Sequence, residues 1–178
     1  MKAGCVLSKS PEPRPAKREE LALLPRIEAR AAERLHGHPA APIFAASPTD
    51  PQLFEQAWQR GMLWVIAHEH ALAGYLMAGV LGADFHIQQM DVAPEHGRKG
   101  LGRALLRHAL AQGRARAHRR AVLSTLSDVA WNAPFYASEG FREWPAQEWS
   151  AGMREVMAAE AAAGFPMELR LAMQRTLD

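Results

Sequence analysis

The sequence predicts a mixed α/β fold, with a mostly antiparallel central sheet and helices on both faces. Three observations predict it. Helical periodicity opens the chain over Lys17–His36 and again over Thr49–Gly61. Apolar strand runs then follow one another across short turns from Met62 to Val92. A strand–helix–strand unit comes next, spanning Phe85 to Leu126, before a last helix and further strands. A sheet covered on both sides accounts for that order.

Each element has a local reason. Pro11, Pro13 and Pro15 stand among Lys, Ser and Arg, which reads as a mobile arm over 1–11 and a short first strand near Glu12–Ala16. From Lys17 to His36, Leu21, Leu24, Ile27, Ala31 and Leu35 form one stripe, which Pro25 would kink. In "PTDPQLFEQAWQRG", Thr49 or Asp50 can cap a helix, Pro51 suits its first turn and Gly61 ends it. "MLWVIA" and "LAGYLMAGV" make a hairpin across "HEH", and "FHIQQMDV" is a third long strand. Leu101, Ala104, Leu105, Ala109 and Leu110 give a helix reaching His118. "AVLSTL" is a strand, and "NAPFYASEG" a short helix that Gly140 closes. "FREW", "PAQEWSAGMREVMAAEAAAG" and "ELRLAMQRT" read as strand, long helix and strand.

Composition narrows the classes. The chain has 178 residues, 48% hydrophobic and 22% charged, as expected for one globular domain over 12–178. A net charge of +2 does not by itself argue for nucleic acid. Eight Arg and Lys residues and no acid fall between 97 and 120, but aromatics are not interleaved with them. Anion binding and a favourable helix C-terminus account for these charges better than RNA or DNA does. The single cysteine, Cys5, allows no internal disulfide and no metal-binding cysteine pattern, so a reducing cytoplasm fits and no metal is expected. "MKAGC" has no apolar core for a signal peptide, and no apolar run reaches the ~18 residues of a membrane span.

The segment "VAPEHGRKGLGRALL" carries the chemistry. It leaves a strand and opens a helix, where N–H groups lack partners and the dipole favours anions. Gly97, Gly100 and Gly102 let the backbone approach a phosphate, and Arg98, Lys99 and Arg103 add charge. A pyrophosphate cradle over Gly97–Arg103, including Leu101, is the expectation. A tight turn with no ligand is the plainer reading. A Walker A loop is absent, and a dinucleotide fingerprint fails at Leu105.

The wider pattern resembles the acyl-CoA-binding motif of the GNAT superfamily of N-acetyltransferases. In that motif Val-x-Pro is followed by Arg/Gln-x-x-Gly-x-Gly/Ala; here the positions are Val92, Pro94, Gly97, Gly100 and Gly102. Gly97 stands where Arg or Gln is usual, and Arg98 follows it. "NAPFYASEGF" is similar to the family's aromatic–Tyr-x-x-x-Gly-Phe segment, through Tyr136, Gly140 and Phe141. The family's asparagine position, seven residues before the tyrosine, is Val129; Asn132, four before it, is the cofactor-binding candidate. "LAGYLMAGV" resembles the third strand, and "RPAKREELALLPRIEARA" the first strand and helix, so the likeness runs from Arg14 onward.

The resemblance implies a sheet whose fourth and fifth strands splay to hold acetyl-CoA. The backbone of Met90, Asp91 and Val92 would pair with the pantetheine arm, and the pyrophosphate would fall on the loop named above. It further implies direct transfer of an acetyl group to an amine of a small molecule or peptide. A backbone N–H near Met90 would hold the oxyanion, and Tyr136 would protonate the leaving thiolate. Some members carry a carboxylate base six residues before the motif valine. That position is His86, whose reference pKa of about 6.5 suits the task. The alternative is a half-buried histidine with no role. Asp91 and Asp84 are weaker candidates, while Glu69 and His70 read as solvated turn residues. A non-catalytic acyl-CoA-binding or sensor domain is the rival function. Trp131 would wall the acceptor pocket or pack in the core. The segment 146–164 would cover the site, add core through Met153, Val156 and Met157, or form a homodimer contact.

Overall fold

A computed structural model describes residues 11–178. The arm expected over 1–11 falls outside the described residues except for Pro11, and so does Cys5. Among the described residues, seven strands form one sheet in the order β1-β2-β3-β4-β5-β7-β6. These are β1 (Arg14–Pro15), β2 (Leu63–His68), β3 (Ala71–Leu81), β4 (Asp84–Val92), β5 (Arg120–Leu126), β6 (Arg142–Glu143) and β7 (Arg170–Thr176). Every neighbouring pair is antiparallel except β4–β5, which is parallel. A parallel pair needs a crossover, and α4 (Leu101–Ala115) supplies it.

Strand alternation decides which helix covers which face. Trp64, Ile66, Leu76 and Leu123 turn toward α4, where they meet Leu101, Leu105, Leu106 and Ala109. Leu63, Val65, Tyr75 and Met77 turn the other way, onto α1 (Leu24–Ala32) and α3 (Pro51–Gln59). The short helix α5 (Ala133–Ser138) packs on the α4 face through Ala133 and Tyr136. On the opposite face α6 (Ala151–Ala162) places Met153 and Met157 against Val122, Trp144 and Ala172. The methionine stripe is thus core, as one of the three readings of 146–164 expected.

Asp50 caps α3, its carboxylate accepting from the Gln52 N–H at 2.8 Å. Thr49, the other cap candidate, instead donates its hydroxyl to Glu28 at 2.7 Å. The single kinked helix expected over Lys17–His36 is broken differently. A 3-10 turn spans Arg18–Leu23, α1 starts at Leu24, and a second 3-10 turn covers Glu33–Leu35. Pro25 sits in the first turn of α1, where its missing N–H costs nothing. The last helix also starts late. Ala146–Glu148 form a separate 3-10 turn, and Ser150 caps α6 by accepting from the Met153 N–H at 3.3 Å. A six-residue helix, α2 (Ala41–Ala46), was not expected, being too short to show a period.

Candidate active site

β4 and β5 are paired only at Phe85–Ala121 and His86–Val122. Beyond that point β4 stays paired with β3 as far as Val92, and β5 stays paired with β7 as far as Leu126. The two strands therefore part while each keeps its outer neighbour. A β-bulge helps explain the parting. Ala78 lies opposite Ile87 and Met77 opposite Gln89, which leaves Gln88 as an extra residue in β4. Such an insertion bends the strand that carries it. A cleft of about 800 Å³ opens between the strands, with Ile87–Val92 on one wall and Leu123–Thr125 on the other.

The glycine loop closes one end of this cleft. Gly97, Arg98, Gly100, Leu101, Gly102 and Arg103 all line it. Gly100 is the N-cap of α4 and has φ +78°, which a side chain would strain. It offers no capping side chain, so the first N–H groups of α4 are left for a ligand. Arg98 also has a left-handed backbone, φ +58°, an uncommon state for a residue with a Cβ. The residue lines the cleft despite its shift from the usual motif position.

Tyr136 and Asn132 line the cleft from α5. The Tyr136 ring is packed edge-on between Phe135 and Phe141, with centroids 5.2 and 5.7 Å away. Burial pushes its phenol well above the usual tyrosine range, so it stays protonated. Trp131 is on the rim, 41% exposed, with the Arg34 guanidinium 4.1 Å from its ring centre. It walls the cleft rather than the core.

Two of the expected site residues are not brought to the cleft. Lys99 points its ammonium at Glu69, 3.7 Å away, and does not line the cleft. His86 is buried at the paired end of β4 and β5, with Val122 and Gly79 as neighbours across the sheet. The bulge is the reason. In a regular strand, residue 86 would share a face with Met90 and Val92. Here Phe85 and Ile87 share that face, packing in the same cluster as Met90 and Val92. Burial lowers the His86 pKa to about 4, against smaller opposing effects of Glu160 and Asp84. Asp84 is engaged by Arg120, at 2.8 and 2.7 Å.

A family model of the GNAT acetyltransferase domain matches residues 59–143. The matched span runs from the end of α3 to β6 and includes the glycine loop and Tyr136, so this part of the chain is similar to a GNAT acetyltransferase domain. Solved structures support the fold over most of the chain. The ribosomal-protein-S18-alanine N-acetyltransferase of Escherichia coli aligns with 94% of this chain and 94% of its own, at TM-score 0.65 and 18% identity. The PaiA N-acetyltransferase of Thermoplasma acidophilum, in complex with coenzyme A, aligns with 94% of this chain and 99% of its own, at 0.69 and 14%. The N-acetylglutamate synthase of Neisseria gonorrhoeae, complexed with coenzyme A and N-acetyl-glutamate, reaches 0.72 and 15%. It is matched over 96% of this chain and 36% of its own length.

The cleft also holds residues that sequence reasoning did not single out. Glu28 on α1 lines it and accepts from Thr49. Glu160 of α6 reaches it as half of an ion pair with Arg170, at 2.6 Å, and also accepts from the Ser124 hydroxyl. Phe165 and Phe44 meet edge-on at its far side, 4.9 Å between centroids. These residues come from separate elements and loops, so no spacing in the sequence links them. Asp91 was noted only as a weaker base candidate. Its carboxylate accepts from Tyr75 at 2.8 Å and Gln89 at 2.7 Å, and burial still raises its pKa to about 6. Among the described residues, no helix is long and apolar enough to cross a membrane.

Proposed function

We propose that the protein is an N-acetyltransferase that moves an acetyl group from acetyl-CoA to an amine of a small molecule or peptide, by direct attack. One observation carries this reading. The unpaired edge of β4 runs into the Gly100 helix start within a single cleft, and Tyr136 stands in the same cleft. The two relatives solved with coenzyme A share the fold, which supports placing the cofactor along that edge.

Bound acetyl-CoA supplies a thioester that an amine can attack without an acyl-enzyme. The backbone of Met90, Asp91 and Val92 would take the pantetheine arm in the manner of an added strand. The loop from Gly97 to Arg103, without the Lys99 side chain, would take the pyrophosphate on its N–H groups. A backbone N–H near Met90 would hold the oxyanion. As the carbon–sulfur bond breaks, Tyr136, protonated at working pH, would give its proton or a hydrogen bond to the thiolate. Asp91 replaces His86 as the base in this reading. Burial raises its carboxyl pKa to about 6 on the cleft wall, while His86 lies outside the cleft. Asn132, at the start of α5, would contact the cofactor at the mouth of the cleft. Residues 12–178 would act as one domain, and one cysteine in the chain suits the cytoplasm.

Thiol release from acetyl-CoA, followed across a panel of amines and N-terminal peptides, tests this directly. Turnover with at least one amine is expected. Coenzyme A binding with no turnover on any amine would reduce the protein to an acyl-CoA-binding module.

A further inference from the structure

The hairpin turn between β2 and β3 meets the chain just before the glycine loop, and three side chains that can ligate metal converge there. His68 ends β2, Glu69 follows it, and His96 ends a 3-10 turn, Pro94–His96. The two Nδ1 atoms are 3.3 Å apart, with ring centroids 5.3 Å apart and planes at 66°. Glu69 Oε1 lies 3.8 Å from His68 Nδ1. One ligand atom from each residue falls within 4.8 Å of the other two.

The two facing nitrogens are informative. They cannot both carry hydrogen at that distance without directing N–H against N–H, so at least one lone pair points into the gap. A metal ion lets both rings direct lone pairs inward. Zinc–nitrogen bonds of about 2.0–2.1 Å at the tetrahedral angle place two nitrogens about 3.3–3.4 Å apart, close to the observed spacing. The carboxylate stands farther off, within 4.8 Å of both nitrogens, and must close on them. Its side chain is 71% exposed and has room to turn. Glu69 and His70 have φ of +53° and +66°, so two non-glycine residues hold a left-handed turn that presents Glu69 beside His68. The Lys99 ammonium, 3.7 Å from Glu69 Oε1, is the charge a metal would displace.

We propose that His68, Glu69 and His96 form a binding site for a divalent transition metal, with Zn²⁺ the best fit and a fourth position left open. Two imidazoles and one carboxylate are a recognised zinc ligand set. The site would tie the β2–β3 turn to the entrance of the loop from Gly97 to Arg103. It stands independently of the acetyl-transfer reading. It also departs from the expectation of no metal, which rested on cysteine patterns.

The test uses the full chain with Cys5→Ser, which removes its one thiol. Zn²⁺ is titrated against a chromophoric chelator, and Co²⁺ is titrated while amide spectra are recorded. One Zn²⁺ per chain with micromolar or tighter affinity is expected. His68→Ala and His96→Ala should each weaken it at least as much as loss of an outer-sphere partner does, roughly 10–100-fold. Glu69→Gln should weaken it less. In the protein with all its histidines, Co²⁺ should first broaden the signals of His68–His70 and of His96 and its neighbours. That mapping does not depend on the variants folding. Absence of stoichiometric binding would overturn the proposal. So would unchanged affinity in both histidine variants, or broadening centred on another pair such as His38 and Asp128, which lie 3.2 Å apart.

Discussion

Tyr136→Phe separates chemistry from packing. The ring is held by Phe135 and Phe141 and contributes to the α4-side core, all of which phenylalanine keeps. The hydroxyl lines the cleft, and among the described residues it has no hydrogen-bond partner to lose. The stability cost should therefore stay within about 0.5 kcal/mol, the range of substitutions that break no special feature. Loss of a general acid typically costs about 10²–10⁴ in rate. At 1.36 kcal/mol per decade, that is roughly 3–5 kcal/mol of transition-state stabilisation. Urea unfolding reads the first quantity. Thiol release at saturating acetyl-CoA and amine reads the second, with the KM for acetyl-CoA little changed. A kcat equal to that of the parent would remove Tyr136 as the acid. A kcat loss matched by a large loss of stability would instead make Tyr136 a packing residue.

Other outcomes follow from the same geometry. Asp91→Asn should abolish the rise of kcat/KM through pH about 6; persistence of that limb would place the base elsewhere. His86 is held neutral down to about pH 4, while the unfolded chain binds that proton near 6.5. Between those values the unfolded state carries more protons, so this group's contribution is full above 6.5 and is lost as pH falls, by up to roughly 3 kcal/mol. His86→Gln should flatten that fall between pH 6.5 and 4.5 in urea unfolding and leave activity at pH 7 within a few-fold. A folded variant with activity down a hundredfold would restore His86 to the mechanism. Arg170→Ala strands Glu160 beside Ser124, and breaking such a largely buried pair should cost about 3–5 kcal/mol in the same unfolding assay. A change below 1 kcal/mol would mean that water reaches Glu160 freely.

Much of the fold was legible because its signals are local. The continuous apolar runs "MLWVIA" and "LAGYLMAGV", with a turn between them, mark β2 and β3 regardless of what they pack against. The stripe from Leu101 to Leu110 marks α4 in the same way. Local signals failed where elements were short. The six residues of α2 are too few to show a period, although the two-residue strand Arg142–Glu143 was legible in "FREW".

For the site, the sequence alone determined the loop. Gly100 at a helix start, with Arg98 and Arg103 beside it, implies an anion cradle from backbone chemistry that needs no tertiary partner. It also placed Tyr136 in a recognisable segment. Only the tertiary structure decided the rest. The bulge at Gln88 turns His86 away from the cleft, and the adjacent polar pair Gln88–Gln89 was the one hint of it in the sequence. Glu28, Asp91, Glu160 and Arg170 meet because α1, β4, α6 and β7 border one gap. His68 and His96, 28 residues apart, face each other because a hairpin turn and a loop entrance are packed together. Backbone preferences are written residue by residue, whereas convergence of side chains depends on register and packing between elements distant along the chain.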